Sequence, residues 1–284
     1  MSHSTVLVVG SNPEQQLAPF DESERVEAYD EPCFCIGRQA RHDARQRVDK
    51  EYTTIEALRT SYQAIEPTKR PAWKDHIKKY NELEEKYDKE HPEHGKPDPK
   101  CEDCKGSGKR ETTYNPDSKW DWYSLGGRWA GYWKLKESAK KRYHGTEFLG
   151  RPGVGDNKPL FDVDMAKKAD IDFAGMRKIR KAQAEARWDK LHADLKSPDE
   201  KVRKRAEFRV MDVGSMTRKQ YAKECMDVAT FAVLMDGEWY ERGHMGWWGM
   251  VRNEKANDAW QKEFDKLIKG LPGHTWLSIY DVHI

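Results

Sequence analysis

The two ends of this 284-residue chain constrain its fold more than anything between them. Thr5 to Val9 is a β-branched, apolar run closed by Gly10, and Thr275 to His283 is a second run rich in aromatic and β-branched residues. Both read as strands. Neither has a nearby partner of its own, so the two are expected to lie side by side, antiparallel, in one sheet. Whatever lies between them must then be inserted into that sheet or hung from it.

Most of what lies between has helical periodicity. Asn12 and Pro13 open a short helix that Pro19 closes, and Asp21 to Asp30 reads as an acidic loop. A long helix is expected over Ile36 to Ile65, with Ile55, Leu58 and Tyr62 on one face, before Pro67 and Pro71 break it. A second, Trp73 to Lys89, places Trp73, Ile77, Tyr80, Leu83 and Tyr87 on one side, and the pair reads as a helical hairpin. Gly145 to Asp172 has the glycine, proline and aspartate content of an irregular loop. Three helices follow between Gly175 and Asp227, the middle one opening at a capping box with Ser197 as cap and Glu200 completing it. Thr230 to Met235 and Glu238 to Glu241 flank Asp236-Gly237, a favoured hairpin turn. A helix from Glu254 to Lys269, capped by Asn253, leads to the last strand.

This order predicts an α+β fold built on a small antiparallel sheet, four-stranded and ferredoxin-like. Segments 1–30 and 228–284 form the sheet core, and 31–110 a helical hairpin with a metal knuckle. An aromatic, glycine-rich segment and loop fill 111–174, and 175–227 is a helical insertion. Hydrophobic content of 37% against a charged fraction of 35% suits one modest core surrounded by solvated helix. A net charge of +2 supplies no global attraction to nucleic acid. Contact with a polyanion would rest on local runs such as Arg177 to Lys190 or Lys201 to Arg205, each of which also reads as a solvated helix face. The opening MSHSTVLVVG has no basic leader, and its apolar run is far too short for a membrane span, so a cytoplasmic protein with no membrane partner is expected.

In that compartment five cysteines argue for metal ligation rather than disulfides. Cys101 and Cys104 stand in a CxxCxGxG knuckle whose glycines can turn backbone N–H groups towards sulfur. Cys33 and Cys35 form a CxC pair, and the two pairs together predict one closed, structural zinc site. Cys225 falls within an amphipathic helix and reads as core.

Lys119 to Trp133, KWDWYSLGGRWAGYW, is the densest aromatic stretch. Its rings read either as core or as stacking faces for a ligand. Trp120, Trp122, Trp129 and the Gly126-Gly127-Arg128 turn are candidate ligand contacts, with backbone freedom at the glycines and a guanidinium suited to phosphate. A second glycine- and tryptophan-bearing loop carries His244, Trp247 and Trp248 and could line the same pocket.

MSHSTVLVVGSNPEQQLAPF, PCFCI, CEDCKGSG with TTYNPDSKWDWYSLGGRW, and the closing YDVHI together resemble an uncharacterised family found mostly among bacteriophage and prophage proteins. The likeness covers the two ends and the centre. It implies an infected bacterial cytoplasm and an accessory protein, of host-interaction or counter-defence type, that binds a host protein or a nucleotide-like ligand. The knuckle is also similar to one repeat of the DnaJ zinc-binding region, which uses several.

Period-two alternation puts His3 with Thr5 on one face of the first strand, and Asp281 with His283 on one face of the last. Antiparallel neighbours would bring His3 to His283. His3-Ser4-Thr5 resembles the HxT motif of two-histidine phosphoesterases, although only Ile284 follows His283 and no second HxT stands there. The resemblance implies a phosphodiesterase or nuclease with His3, His283 and Asp281 as catalytic candidates, since such a set can move protons at neutral pH. A nucleic-acid-binding zinc protein is the third possibility, with tryptophans stacking on bases.

Overall fold

The structure, a computed structural model, describes residues 2–66, 69–144, 146–150, 159–213, 216–246 and 249–284. In chain order its strands and helices are β1 (His3–Val9), α1 (Pro13–Leu17), β2 (Arg25–Pro32), α2 (Arg38–Glu51), α3 (Ile55–Ala64), α4 (Trp73–His76) and α5 (Lys78–Glu90). Then come β3 (Lys109–Tyr114), β4 (Trp122–Leu125), β5 (Met165–Lys167), α6 (Phe173–Asp194), α7 (Glu200–Val213) and α8 (Arg218–Cys225). The chain continues through β6 (Ala232–Met235), β7 (Glu238–Glu241), β8 (His244–Met245), β9 (Val251–Arg252) and α9 (Asn257–Gly270) to β10 (Trp276–His283). The fold is α+β. It divides into two compact units, one of Met1–Val26, Tyr114–Ala184 and Ala222–Ile284, the other of Glu27–Thr113 and Glu185–Tyr221.

The first unit holds the sheet, ordered β4-β10-β1-β6-β7, with β5 also pairing with β10. β1 and β10 pair antiparallel from His3 opposite His283 to Val9 opposite Leu277, as the two terminal runs predict. Both strands are buried on both faces because alternation feeds two separate cores. Leu7, Val9, Leu277 and Ile279 pack with Trp133 and with Trp260, Phe264 and Ile268 of α9. Each fully buried side chain of that size contributes roughly 1.5–3 kcal/mol. Val6, Val8, Tyr280 and Val282 face the other way, onto Leu17, Phe20 and Trp120.

The sheet is not wholly antiparallel and not ferredoxin-like, because β6 runs parallel to β1. A ferredoxin-like sheet places the later strand of the hairpin beside the first strand. Here the apolar strand comes first: Ala232, Val233 and Leu234 are fully buried, whereas β7 is Glu-Trp-Tyr-Glu and suits an edge. The hairpin turn itself is as expected, with Asp236 and Gly237 both at positive φ. The aromatic segment supplies β4, so it belongs to this sheet.

The second unit holds the helical hairpin, in which α2 and α5 pack together. Tyr80 and Val48 are its buried centre, with Trp73, Ile77, Leu83 and Tyr87 against them on the predicted face. The long first helix is broken in two. Thr54 takes up an extended conformation and accepts a hydrogen bond from the Ala57 N–H at 3.1 Å, capping α3 anew. At α7 the cap is Asp199 rather than Ser197: its carboxylate takes the N–H of Lys201 at 2.8 Å, whereas the Ser197 hydroxyl accepts the N–H of Asp199. The expected acidic loop at Asp21 to Asp30 contains most of β2, which pairs with β3 as a two-stranded ribbon. No helix among the described residues is long and apolar enough to cross a membrane.

Candidate acid–base site and metal centre

Strand register alone assembles the first site. His3 lies opposite His283 on β10, and His283 opposite Trp122 on β4, so three rings form a row across three strands. The imidazole centroids are 5.0 Å apart; Trp122 stacks on His283 at 5.4 Å and meets His3 edge-on at 5.3 Å. One step along the same face stand Thr5, Asp281 and Ser124.

Each imidazole is oriented by its own carboxylate. His3 Nδ1 is 2.8 Å from Asp281 Oδ1, and His283 Nδ1 is 2.6 Å from Asp121 Oδ1. Asp121, just before β4, was not legible as a partner because nothing local marks it. Asp281 is only 1% exposed, and both its oxygens are engaged, Oδ1 with His3 Nδ1 and Oδ2 with the Arg128 N–H. His283 is 8% exposed, and its Nε2 is buried with no hydrogen-bond partner among the described residues.

The Gly126-Gly127-Arg128 turn closes this arrangement. Its Arg128 N–H donates to Asp281 Oδ2 at 2.9 Å. Both glycines have positive φ, and a Cβ at Gly127 would lie 2.3 Å from Asp281 Cβ. Gly126 abuts Asp164 in the same way. The glycines therefore leave room for two buried carboxylates. The Arg128 side chain itself is exposed and makes no hydrogen bond or ion pair among the described residues.

Asp164 is fully buried and accepts N–H groups from Gly131 at 2.5 Å and Gly150 at 2.6 Å. Burial raises its carboxyl to about 6, against the opposing pull of the Gly150, Gly131 and Tyr132 N–H groups.

Most of the aromatic stretch is core. Trp120 is buried, with its indole N–H on the Leu17 carbonyl at 3.2 Å, and Trp133 likewise bonds Leu277 at 3.1 Å. Trp129 packs half-buried against the main core. Trp122 alone among the described tryptophans is exposed, at 43%. Ligand contact is thus closed to Trp120 for a physical reason, its ring being spent on the core. His244 is exposed and pairs with Glu241 at 3.6 Å, and it is not part of the histidine row. Trp247 and Trp248 lie outside the described residues. Gly249, at the end of their loop, sits against Ser2, whose hydroxyl an added Cβ would meet at 3.7 Å.

The second site belongs to the other unit. Cys33, Cys35, Cys101 and Cys104 are all buried, and their sulfurs lie within 4.8 Å of one another. Cys33 and Cys101 are 3.6 Å apart, Cys35 and Cys104 3.5 Å. Metal–sulfur bonds of about 2.3 Å in a tetrahedron require sulfurs roughly 3.8 Å apart, so four thiolates here fit a metal ion. The knuckle turn is made by Lys105 and Gly106, both at positive φ, with Ser107 N–H on the Cys104 carbonyl at 2.9 Å. Burial pushes the Cys35 thiol up to about 12. Burial acts on Cys104 too, but the Gly108 and Gly106 N–H groups and the neighbouring thiols outweigh it and bring that thiol down to about 7. A cavity of about 250 Å³, lined by Cys35, Gln39, Lys96 and Asp98 among others, borders the cluster at Cys35. The cluster brings together two chain segments, Cys33 with Cys35 and Cys101 with Cys104. No protein family model matches this chain, and no curated protein or solved structure matches it either.

Proposed function

We propose that the end of the sheet where β1, β10 and β4 meet is an acid–base site for phosphodiester cleavage, with His3 and His283 as its proton-transferring pair. One observation carries this reading: two imidazoles side by side, each with Nδ1 held by a carboxylate. A carboxylate on Nδ1 keeps a proton there and leaves Nε2 as the working atom. In the reaction one neutral imidazole takes a proton from water at Nε2 while the water oxygen bonds to phosphorus. The other, as imidazolium, gives its Nε2 proton to the oxygen that departs as its bond to phosphorus breaks. A phosphomonoester and an alcohol result, and solvent restores the two protonation states.

The test is hydrolysis of a simple diester, bis(p-nitrophenyl) phosphate, by the purified chain and by His3→Asn and His283→Asn. Each substitution is expected to lower turnover by roughly 10²–10⁴. Equal rates in all three proteins, or no turnover by the unaltered chain, refute the reading.

We further propose that the four cysteines bind zinc and that its role is structural. Four thiolates around one ion leave no open position for substrate. Elemental analysis is expected to give one zinc per chain, and well under one equivalent with freely titrating thiols refutes it.

A further inference from the structure

Resting on the acid–base reading of the same sheet end, we propose that the substrate is a nucleotide, its base stacked on Trp122 and its phosphodiester gripped by Arg128. Trp122 is the one exposed tryptophan among the described residues, and it sits in register with both histidines. Other tryptophans near the sheet are committed elsewhere: Trp120, Trp133 and Trp260 are buried and bond their indole N–H groups to main-chain carbonyls. An indole left at the surface beside a polar site costs apolar exposure, and every nucleobase has a flat face to cover it.

The guanidinium of Arg128 supplies the second contact. Its main chain is fixed by Asp281, while its side chain is exposed and unpaired among the described residues. A planar fork of five N–H donors matches two phosphate oxygens at once. Trp122 lies beside His283, and the Arg128 N–H lies on Asp281 two residues back, a separation of about 7 Å along the strand. One nucleotide spans that. The buried Nε2 of His283, opposite Trp122, has no hydrogen-bond partner among the described residues, which leaves a polar atom for a phosphate oxygen to satisfy. A phosphodiester without a base would meet the histidines and Arg128 but leave the indole uncovered.

The experiment measures equilibrium binding of a dinucleoside phosphorothioate, which resists cleavage, and of its base-free counterpart. The unaltered chain is expected to bind the dinucleotide at least tenfold more tightly than the base-free diester. Trp122→Ala and Arg128→Ala should each weaken the dinucleotide roughly tenfold or more, and Trp122→Phe should restore most of what Trp122→Ala loses. Equal affinity for the two ligands, no binding of either, or an unchanged Kd in Trp122→Ala overturns the inference. Turnover of bis(p-nitrophenyl) phosphate reports on the histidines separately, so binding that depends on Trp122 without histidine-dependent turnover overturns only the catalytic reading.

Discussion

Replacing Asp164 by Asn tests which of two opposed effects governs the buried carboxylate behind the Gly-Gly turn. Burial disfavours the charge, whereas N–H donors from Gly131, Tyr132 and Gly150 favour it, and burial wins, raising the group from 3.8 to about 6. A carboxyl raised on folding makes the native state bind more protons than the unfolded chain. Its contribution is therefore fully present below about pH 4 and is lost as pH rises through about 6. A rise of about two units corresponds to roughly 3 kcal/mol. The Asn variant does not titrate there, so the other groups cancel when the two proteins are compared. Urea unfolding of both at intervals from pH 3.5 to 7.5 should show the wild-type advantage shrinking by about 3 kcal/mol, with most of the change between pH 4 and 6. A constant difference would mean that the carboxyl is not perturbed. An advantage growing with pH would mean that the N–H cradle dominates, and the argument from burial would be wrong.

Gly127→Ala must both hold a positive φ of 52° and push into Asp281, and is expected to cost about 2–4 kcal/mol in urea unfolding. The same variant should lose the downfield Nδ1 proton resonance of His3, since Asp281 is what holds it. Arg128→Ala, an exposed change, should move stability by no more than about 0.5 kcal/mol, and a larger loss would mean that its side chain holds the turn together. Cys104→Ser should lower both metal content and Tm, and a chelator should lower the Tm of the unaltered chain but not that of the variant.

What the sequence disclosed and what it hid follow from the range of the interactions. The terminal strands, the Asp236-Gly237 hairpin and the face of α5 depend on short-range pattern and were legible. So was the meeting of CxC with CxxC, because the four thiols had no other pairs to form. The order of β6 and β7 departs from the expected one because the apolar strand takes the central place and the charged one the edge. β2 and β3 carry charged residues on an exposed ribbon, so no alternation announces them. The glycines at 126 and 127 suggested a ligand approach, but they accommodate carboxylates that lie well over thirty residues away along the chain. Asp121 became a histidine partner only through the register of β4 on β10.

The pairing of β1 with β10 also decides when the molecule can fold. His3 and Asp281 are 278 positions apart, and β6, the other neighbour of β1, begins only at Ala232. At a synthesis rate of 5–20 residues per second, β1 waits roughly 15 to 55 s for β10 to be made. Closing so long a loop adds little to its free-energy cost, which grows only with the logarithm of length. The delay is the greater burden. During it Val6, Leu7, Val8 and Val9 form an unpaired apolar strand, the kind of segment that associates with other chains. The α2–α5 pair and the cysteine knuckle need only residues up to Cys104 and can be in place long before. The nascent chain is thus expected to carry the α2–α5 pair and the cysteine cluster while its sheet, and with it the histidine row, is completed only once β10 has been made.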